Sequence, residues 1–272
     1  MTKKRIITST NDIEAYYQFC GPFSVNAKDK FGHDCELVIG YISNKDEFDP
    51  RYQRIGEFGK VVPFAPIEGI SSGAQAKVTR MYLASQFEDD FTIIMDVDMF
   101  VVNESFFVEA FARCPQDKLG AIAGNVYFGG PDHGKFPMCY THGMGRVFKK
   151  IINPKNLDYK DLLISWNKNY IDGKENIFNQ FSNFSDESLL RALIHKAGME
   201  KMVYHTHRPD VKCVNQFNAR IDRGWWGWDQ KKLEGGYYLD CNPLRPMNKN
   251  YDKMKGVLDF LNIDFEKVII DV

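Results

Sequence analysis

Two carboxylates spaced two residues apart, Asp96 and Asp98, follow the apolar run Thr92-Ile93-Ile94-Met95. Such a run predicts a strand buried on both faces of a sheet, and Asp is a poor strand former that is costly to bury alone. An open α/β sheet holds its ligands at the carboxyl ends of its strands, and a divalent cation or a phosphate-bearing molecule would account for the two charges. The i, i+2 spacing lets both carboxylates face one pocket while Val97 points back into the core. The plainer alternative is a strand followed by a turn in which the Asp residues cap the next element.

Three other groups of residues carry chemistry. Lys77 and Arg80 lie three apart on a predicted helix just before the Asp96 strand, where they could reach the phosphate or base of a nucleotide; a solvated helix face is the alternative. Asp186 and Glu187 fall in the first turn of a predicted helix over 183–198, either as decoration stabilised by the helix dipole or as a base. His205 and His207 alternate with Thr206 along a predicted strand, so both imidazoles can face one side. Two carboxylates plus a distant His leave open positions that suit Mn²⁺ or Mg²⁺ better than a closed Zn²⁺ site.

The elements that must position these groups are legible in outline. Arg5–Thr8 reads as a first strand, Ser9 to Asp12 as turn and cap chemistry, and a helix interrupted at Gly21-Pro22 follows through about Lys30. Glu36–Ser43 and Lys60–Phe64 are strands, with a polar, turn-rich stretch from Asn44 to Gly59 between them. Ala74, Val78, Met81, Tyr82 and Ser85 mark the buried face of the helix over 69–87. A helix from about Ser105 to Arg113 and a strand over Leu119–Val126 come next.

Phe128 to Gly145 is crowded with Gly, Pro and His and reads as an irregular loop, a candidate acceptor or lid segment that contains His142 and Gly143. Helical stretches at Arg146–Ile152 and Asp161–Asn169 precede the helix over 183–198, whose face is Leu189, Leu190, Leu193, Ile194 and Ala197 and whose end is Gly198. Further on, Gly224 to Trp228 holds three of the four Trp residues. Sugar C–H faces stack on indole, so Trp225 and Trp226 are candidates for an acceptor platform, with a core or subunit-contact cluster as the alternative. Met254, Val257, Leu258 and Leu261 fit a final amphipathic helix.

Composition sets the bounds. The 272 residues suffice for one large α/β domain or two closely joined lobes, and 44% hydrophobic with 26% charged residues is ordinary for a globular protein. A net charge of -1 provides no electrostatic footprint for nucleic acid, so a phosphate-bearing partner must be held by a local site. Six scattered cysteines without metal spacing predict thiols in a reducing compartment. No apolar segment resembles a signal peptide or is long enough to cross a bilayer, so a soluble cytoplasmic protein is expected.

The order of an apolar strand ending in DxD, an acidic pair opening a helix that ends in Lys-Ala-Gly, and a His shortly afterwards resembles nucleotide-sugar-dependent glycosyltransferases of the GT-A fold. The Asn11-Asp12 start before a helix and the basic helix before the DxD strand look like the same arrangement, with some likeness to small virus-encoded members. The likeness covers roughly residues 5–210. It implies an α/β fold with a mixed, mainly parallel central sheet flanked by helices. One continuous domain would result, residues 1–130 forming the nucleotide-sugar-binding half and 131–272 the acceptor-binding and catalytic half with the C-terminal helix.

By the same resemblance, the protein transfers a sugar from a nucleoside diphosphate sugar, UDP-sugars foremost, to a hydroxyl of a glycan or other acceptor, with a divalent metal and by inversion. Asp96 would touch the ribose or a metal-bound water, Asp98 would ligate Mn²⁺ (or Mg²⁺), and His207, or failing it His205, would be the later ligand. Thr8, Asp12, Lys77 and Arg80 would hold the donor. Inverting members open the helix with Glu then Asp, the second acting as base; here the order is Asp186 then Glu187, and counting back from Gly198 favours Glu187. Two rival readings are a haloacid-dehalogenase-like phosphatase using Asp96 and Asp98, which lacks its later paired-acid motif here, and a nucleotide- or carbohydrate-binding protein without turnover.

Overall fold

Apolar residues along the first strand divide between two separate cores. In β1 (Lys4–Asn11), Ile6 enters one cluster with Leu37, Ile39 and Ile93, while Ile7 enters the other with Val38, Val78 and Ile94. Successive side chains of a strand point to opposite faces, so a strand feeding two cores must lie in a sheet covered on both sides. The computed structural model, which describes residues 2–123, 135–168, 185–208 and 219–270, has that arrangement.

The strands continue with β2 (Glu36–Ile42), β3 (Lys60–Phe64), β4 (Phe91–Ile94), β5 (Phe100–Val101), β6 (Leu119–Ala123), β7 (Thr141–Met144), β8 (Val203–His207), β9 (Arg220–Asp222) and β10 (Asp240–Asn242). Seven form the main sheet in the order β3-β2-β1-β4-β7-β6-β8, with β7 alone running against the rest. The other three form a small sheet, β5-β10-β9. Strand order reverses beside β1, since β2 lies to one side and β4 to the other. The crevice outside the carboxyl ends of β1 and β4 is therefore the topological switch point, where such sheets bind ligands.

Helices α1 (Glu14–Tyr17), α2 (Cys20–Phe31), α3 (Pro50–Gly56), α4 (Ser72–Ser85), α5 (Glu104–Arg113), α6 (Gly145–Ile152), α7 (Tyr159–Lys168), α8 (Ser185–Lys196) and α9 (Met247–Phe260) cover the faces. Phe23 and Ala27 of α2, Phe107 and Phe111 of α5, and Met254 and Leu258 of α9 fill one core; Val78 and Met81 of α4, Phe148 of α6, Leu163 of α7 and Leu190 of α8 fill the other. The interruption expected at Gly21-Pro22 is the opening of α2, where a proline without an N–H costs nothing. No helix among the described residues is long and apolar enough to cross a membrane. Cys20, Cys35, Cys114, Cys139 and Cys241 are free thiols.

Two stretches differ from expectation. Asn44 to Gly59 contains helix α3, because Asp49 caps the Arg51 N–H, Pro50 occupies the first turn and Ile55 anchors the helix in the core. The segment read as loop through Gly145 contains β7, paired with β4 from Ile94–Thr141 to Phe91–Met144. Its glycine serves packing: a Cβ on Gly143 would lie 2.8 Å from the Lys118 carbonyl oxygen.

Candidate active site

The chain leaves the main sheet at Met95, whose N–H makes a last hydrogen bond to the Ile7 carbonyl. Asp96 comes next, with its N–H donated to Cys139 Sγ at 3.5 Å, so the residues just before β7 lie beside Asp96. Phe128 to Gly134, earlier in the segment read as a loop, lie outside the described residues. The Arg80 guanidinium, projecting from α4, donates through Nη1 to Asp96 and through Nη2 to Asp186 at 2.6 Å. Burial alone would weaken the charge on Arg80, but the two carboxylates outweigh it and raise its pKa.

Lys77, one turn earlier on α4, is held below its ordinary value by burial, against the opposing field of Asp186 and with the help of Arg80. Asp96 and Glu187 also act on it. Asp96, Lys77, Arg80, Asp186 and Glu187 are thus brought together from β4, α4 and α8. The surface-helix alternative fails for Arg80, which is buried.

Asp98 sits deeper, 7% exposed, and one of its oxygens accepts from Arg223 Nη1 at 2.5 Å and faces Arg245 Nε at 3.3 Å. Burial pushes its carboxyl up, and the two guanidiniums overcome that and hold it below the usual range. The Arg245 guanidinium lies over the Tyr16 ring, 4.7 Å from its centroid, which fixes it at the β1 side of the crevice. Beside it, Asp12 accepts from the Tyr41 hydroxyl at 2.5 Å, the Ser43 hydroxyl at 2.9 Å and Arg51 at 3.4 Å, and still keeps its side chain 40% exposed. An oriented carboxylate at the end of β1 can accept hydrogen bonds from hydroxyl groups of a ligand.

Several expected residues lie elsewhere. Thr8 is fully buried within the sheet, paired with Ile39, and Asp12 occupies the mouth instead. His142 and Gly143 are not at an acceptor surface either. His142 is fully buried between Phe91 and Phe111, with ring centroids 6.0 and 4.7 Å away, and its Nδ1 faces the Tyr140 carbonyl at 2.9 Å. A glycine opposite makes the room, since a Cβ on Gly120 would fall 2.1 Å from His142 Nε2. Gly143 pairs with Thr92 inside the sheet.

Burial lowers the His142 pKa from 6.5 to about 4. An unfolded chain then takes up a proton that the folded chain refuses, so stability is full above the unfolded value and falls as pH drops from 6.5 toward about 4. The expected loss approaches ~3 kcal/mol. Urea unfolding at pH 7 and pH 4.5 should show it, and in His142→Gln this part of the acid sensitivity should vanish; equal sensitivity in both proteins would exclude His142 as its source.

The histidines of β8 are also apart from the aspartates. His207 and His205 pair with Ala123 and Ala121 of β6 on the outermost strand, and β7 and β6 intervene between β4 and β8. Three ladder spacings amount to about 14 Å, whereas the ligands of one ion lie within about 5 Å of each other. Among the described residues no group of three or more His, Cys, Asp or Glu side chains could hold a metal ion. The donor chemistry agrees: Asp98 already faces two guanidiniums and Asp96 a third, so an added dication would meet fixed positive charge. As arranged, the described residues do not fit the expected Mn²⁺ or Mg²⁺ site.

Trp225 and Trp226 separate. Trp225 is 69% exposed, two positions after Arg223, whereas Trp226 packs partly against the core and donates its indole N–H to the Lys253 carbonyl at 3.3 Å. Sequence reasoning missed the cations that complete the site. Arg223 directly precedes the Trp-rich stretch, and Arg245 carries no local signal. The buried Asp240, bonded by both Arg208 and Arg220, was not singled out. It joins the small sheet to the chain just beyond β8 and thereby supports the loops that carry Arg223 and Arg245.

No protein-family model matches the chain, and no curated protein matches it. Its fold does have solved counterparts. The crystal structure of the galactosyltransferase LgtC in complex with donor and acceptor sugar analogs matches 98% of this chain and 97% of that one, with a TM-score of 0.53 at 13% identity. The structure of an active-site mutant of LgtC matches over the same shares, also with a TM-score of 0.53 at 13% identity. The chain has the GT-A-type fold that the motif order implied.

Proposed function

We propose that the protein is a glycosyltransferase that takes a sugar from a nucleoside diphosphate sugar, UDP-sugars being the first donors to test, and passes it to a hydroxyl of a glycan or other acceptor. The observation that carries this reading is the crevice at the switch point. There the exposed Asp12 carboxylate and Arg245 mark the β1 side, and Arg223, Asp98 and the Asp96-Arg80-Asp186 network mark the β4 side, in a fold shared with LgtC. Asp12, oriented by Tyr41 and Ser43, takes the hydroxyls of the nucleoside. Arg80 is a positioning residue that holds Asp96 and Asp186 in register, and the exposed Trp225 stacks on the acceptor sugar. Residues 1–130 then form the donor half, and 131–272 supply the acceptor side.

In the reaction, the bond from the anomeric carbon to the β-phosphate oxygen breaks with its electron pair on the diphosphate. The acceptor oxygen bonds to that carbon, and its proton passes to a carboxylate. Glu187 is assigned this role, as the second residue of the helix-opening pair and the one favoured by counting back from Gly198, while Asp186 is paired with Arg80. A single displacement of this kind inverts the anomeric centre. Glu187→Gln should lower transfer by at least about 10²-fold while leaving donor affinity unchanged. Full activity in that variant, or a product with the donor's anomeric configuration by proton NMR, removes Glu187 from the role.

The phosphatase reading has less to rest on, since its nucleophile would be Asp96, which the Arg80 guanidinium engages. Hydrolysis and transfer assayed over a panel of nucleotide sugars with sugar acceptors test the proposal. A protein that binds these donors and splits none of them, with acceptor present, is a binding protein. One that instead releases phosphate from monoesters is a phosphatase.

A further inference from the structure

Charge balance in the crevice points past the nucleotide-sugar reading to how the diphosphate is held. A site awaiting a divalent cation presents surplus carboxylate, because the ion's own charge completes the balance. The carboxylates of the loop from β4 to β5 already meet cations: Asp96 meets Arg80, which it shares with Asp186, and Asp98 meets both Arg223 and Arg245. Depth matters as well. The Asp98 side chain is 10% exposed, whereas those of Arg223 and Arg245 are 29% and 23% exposed, so the cations stand in front of the carboxylate as seen from solvent.

Neither guanidinium is used up by Asp98. Arg223 approaches it through Nη1 and Arg245 through Nε, which leaves further N–H groups on both planar forks for a second anion. Their directions are fixed from opposite sides. Arg223 follows β9 of the small sheet, and Arg245 is clamped over Tyr16 beside Asp12, where the nucleoside is placed. Two oriented, partly exposed guanidiniums backed by a buried carboxylate match the bidentate geometry of phosphate oxygens.

We propose that Arg223 and Arg245 bind the diphosphate of the donor and supply the positive charge for its departure, so that this enzyme uses its sugar nucleotide without a divalent cation. The assignment rests on the glycosyltransferase reading. As the bond between the anomeric carbon and the β-phosphate oxygen breaks, the electron pair stays on the diphosphate and the two guanidiniums stabilise it. The acceptor oxygen forms the new bond, and its proton goes to Glu187. Asp98 is then a positioning residue that aims both arginines.

The test uses UDP, GDP, ADP, CDP and dTDP with the full chain, following thermal stabilisation and calorimetric affinity in EDTA and in MnCl₂. At least one should bind equally well in both. Arg223→Gln and Arg245→Gln should each weaken that diphosphate about 10- to 100-fold, the worth of charge-assisted hydrogen bonds. Asp98→Asn, which loosens the aim of both forks without removing their charge, should weaken it in EDTA less than either arginine replacement does. If a glutamine variant melts early, Arg245→Lys, which keeps the charge but loses the fork, takes its place and should weaken binding less.

Binding that appears only with Mn²⁺, or that disappears in Asp98→Asn while surviving the arginine replacements, overturns the proposal and leaves the glycosyltransferase reading standing. Should none of the five diphosphates bind with or without Mn²⁺, the donor site itself is misassigned and both readings fall together.

Discussion

Arg80→Met should lose about 3–5 kcal/mol of stability and at least about 10²-fold in sugar transfer, the widest combined effect of any single change in the crevice. Arg80 is the cation shared by Asp96, at the end of β4, and Asp186, in the first turn of α8 and 106 positions away along the chain. Its side chain and that of Asp186 are 7% and 6% exposed. Solvent therefore screens little of the interaction. Removing the guanidinium leaves a buried carboxylate uncompensated, which costs far more than a surface pair would.

The activity loss has a separate cause, because α8 also carries Glu187. Without the guanidinium, the start of that helix loses its side-chain bridge to Asp96, and small misplacements of the proposed base are expensive. Urea unfolding and donor-cleavage rates measure the two parts. Arg80→Lys separates charge from geometry: it should recover part of the stability but not the turnover, since an ammonium cannot span both carboxylates as the planar fork does. A Lys variant with full turnover would show that charge alone suffices.

Asp240→Asn is expected to cost a comparable 3–5 kcal/mol, or a fall of roughly 10 °C in Tm. Asp240 is completely buried on β10, and its two oxygens accept from both Arg208 and Arg220. Burial by itself pushes the carboxyl up, but the paired guanidiniums dominate and hold it far below the ordinary carboxylate range. A depressed carboxylate stabilises the folded state fully above its unfolded value and loses that contribution only as pH falls toward the folded one. This contribution should therefore persist into strongly acidic solution, in the range where His142 has already begun to destabilise the fold.

The Asn variant leaves both arginines facing a neutral amide, and its deficit should be nearly constant from pH 8 down to pH 5. A deficit that shrinks steeply across that range would contradict the assigned pairing. Since β9 and β10 lead directly into the loops of Arg223 and Arg245, the same variant should also weaken nucleoside diphosphate binding.

The fold was readable because its cause is local. Ile93 and Ile94 feed opposite cores, and the run that contains them declares a strand covered on both faces without reference to any other part of the chain. The spacing of Val78 and Met81, or of Leu189, Leu190 and Ile194, marks a buried helix stripe in the same way. Expectation failed where composition was taken for conformation. Thr141 to Met144 looked like loop because of its His and Gly, yet both residue types are there to pack, His142 against Gly120 and Gly143 against the Lys118 backbone.

The amino-acid order alone sufficed to locate Asp96 and Asp98 at the end of a buried strand, to put Arg80 and Asp186 on helices, and to imply the GT-A-type arrangement. Which cation meets which carboxylate could not be read there. Arg223 reaches Asp98 from 125 positions away, and His207, with the right chemistry, ends three strands to the side. Helix and strand patterns arise from neighbours within one or two turns, whereas the balance of charge in a crevice depends on how distant elements pack, and Coulomb energies of buried groups change steeply over a few ångströms.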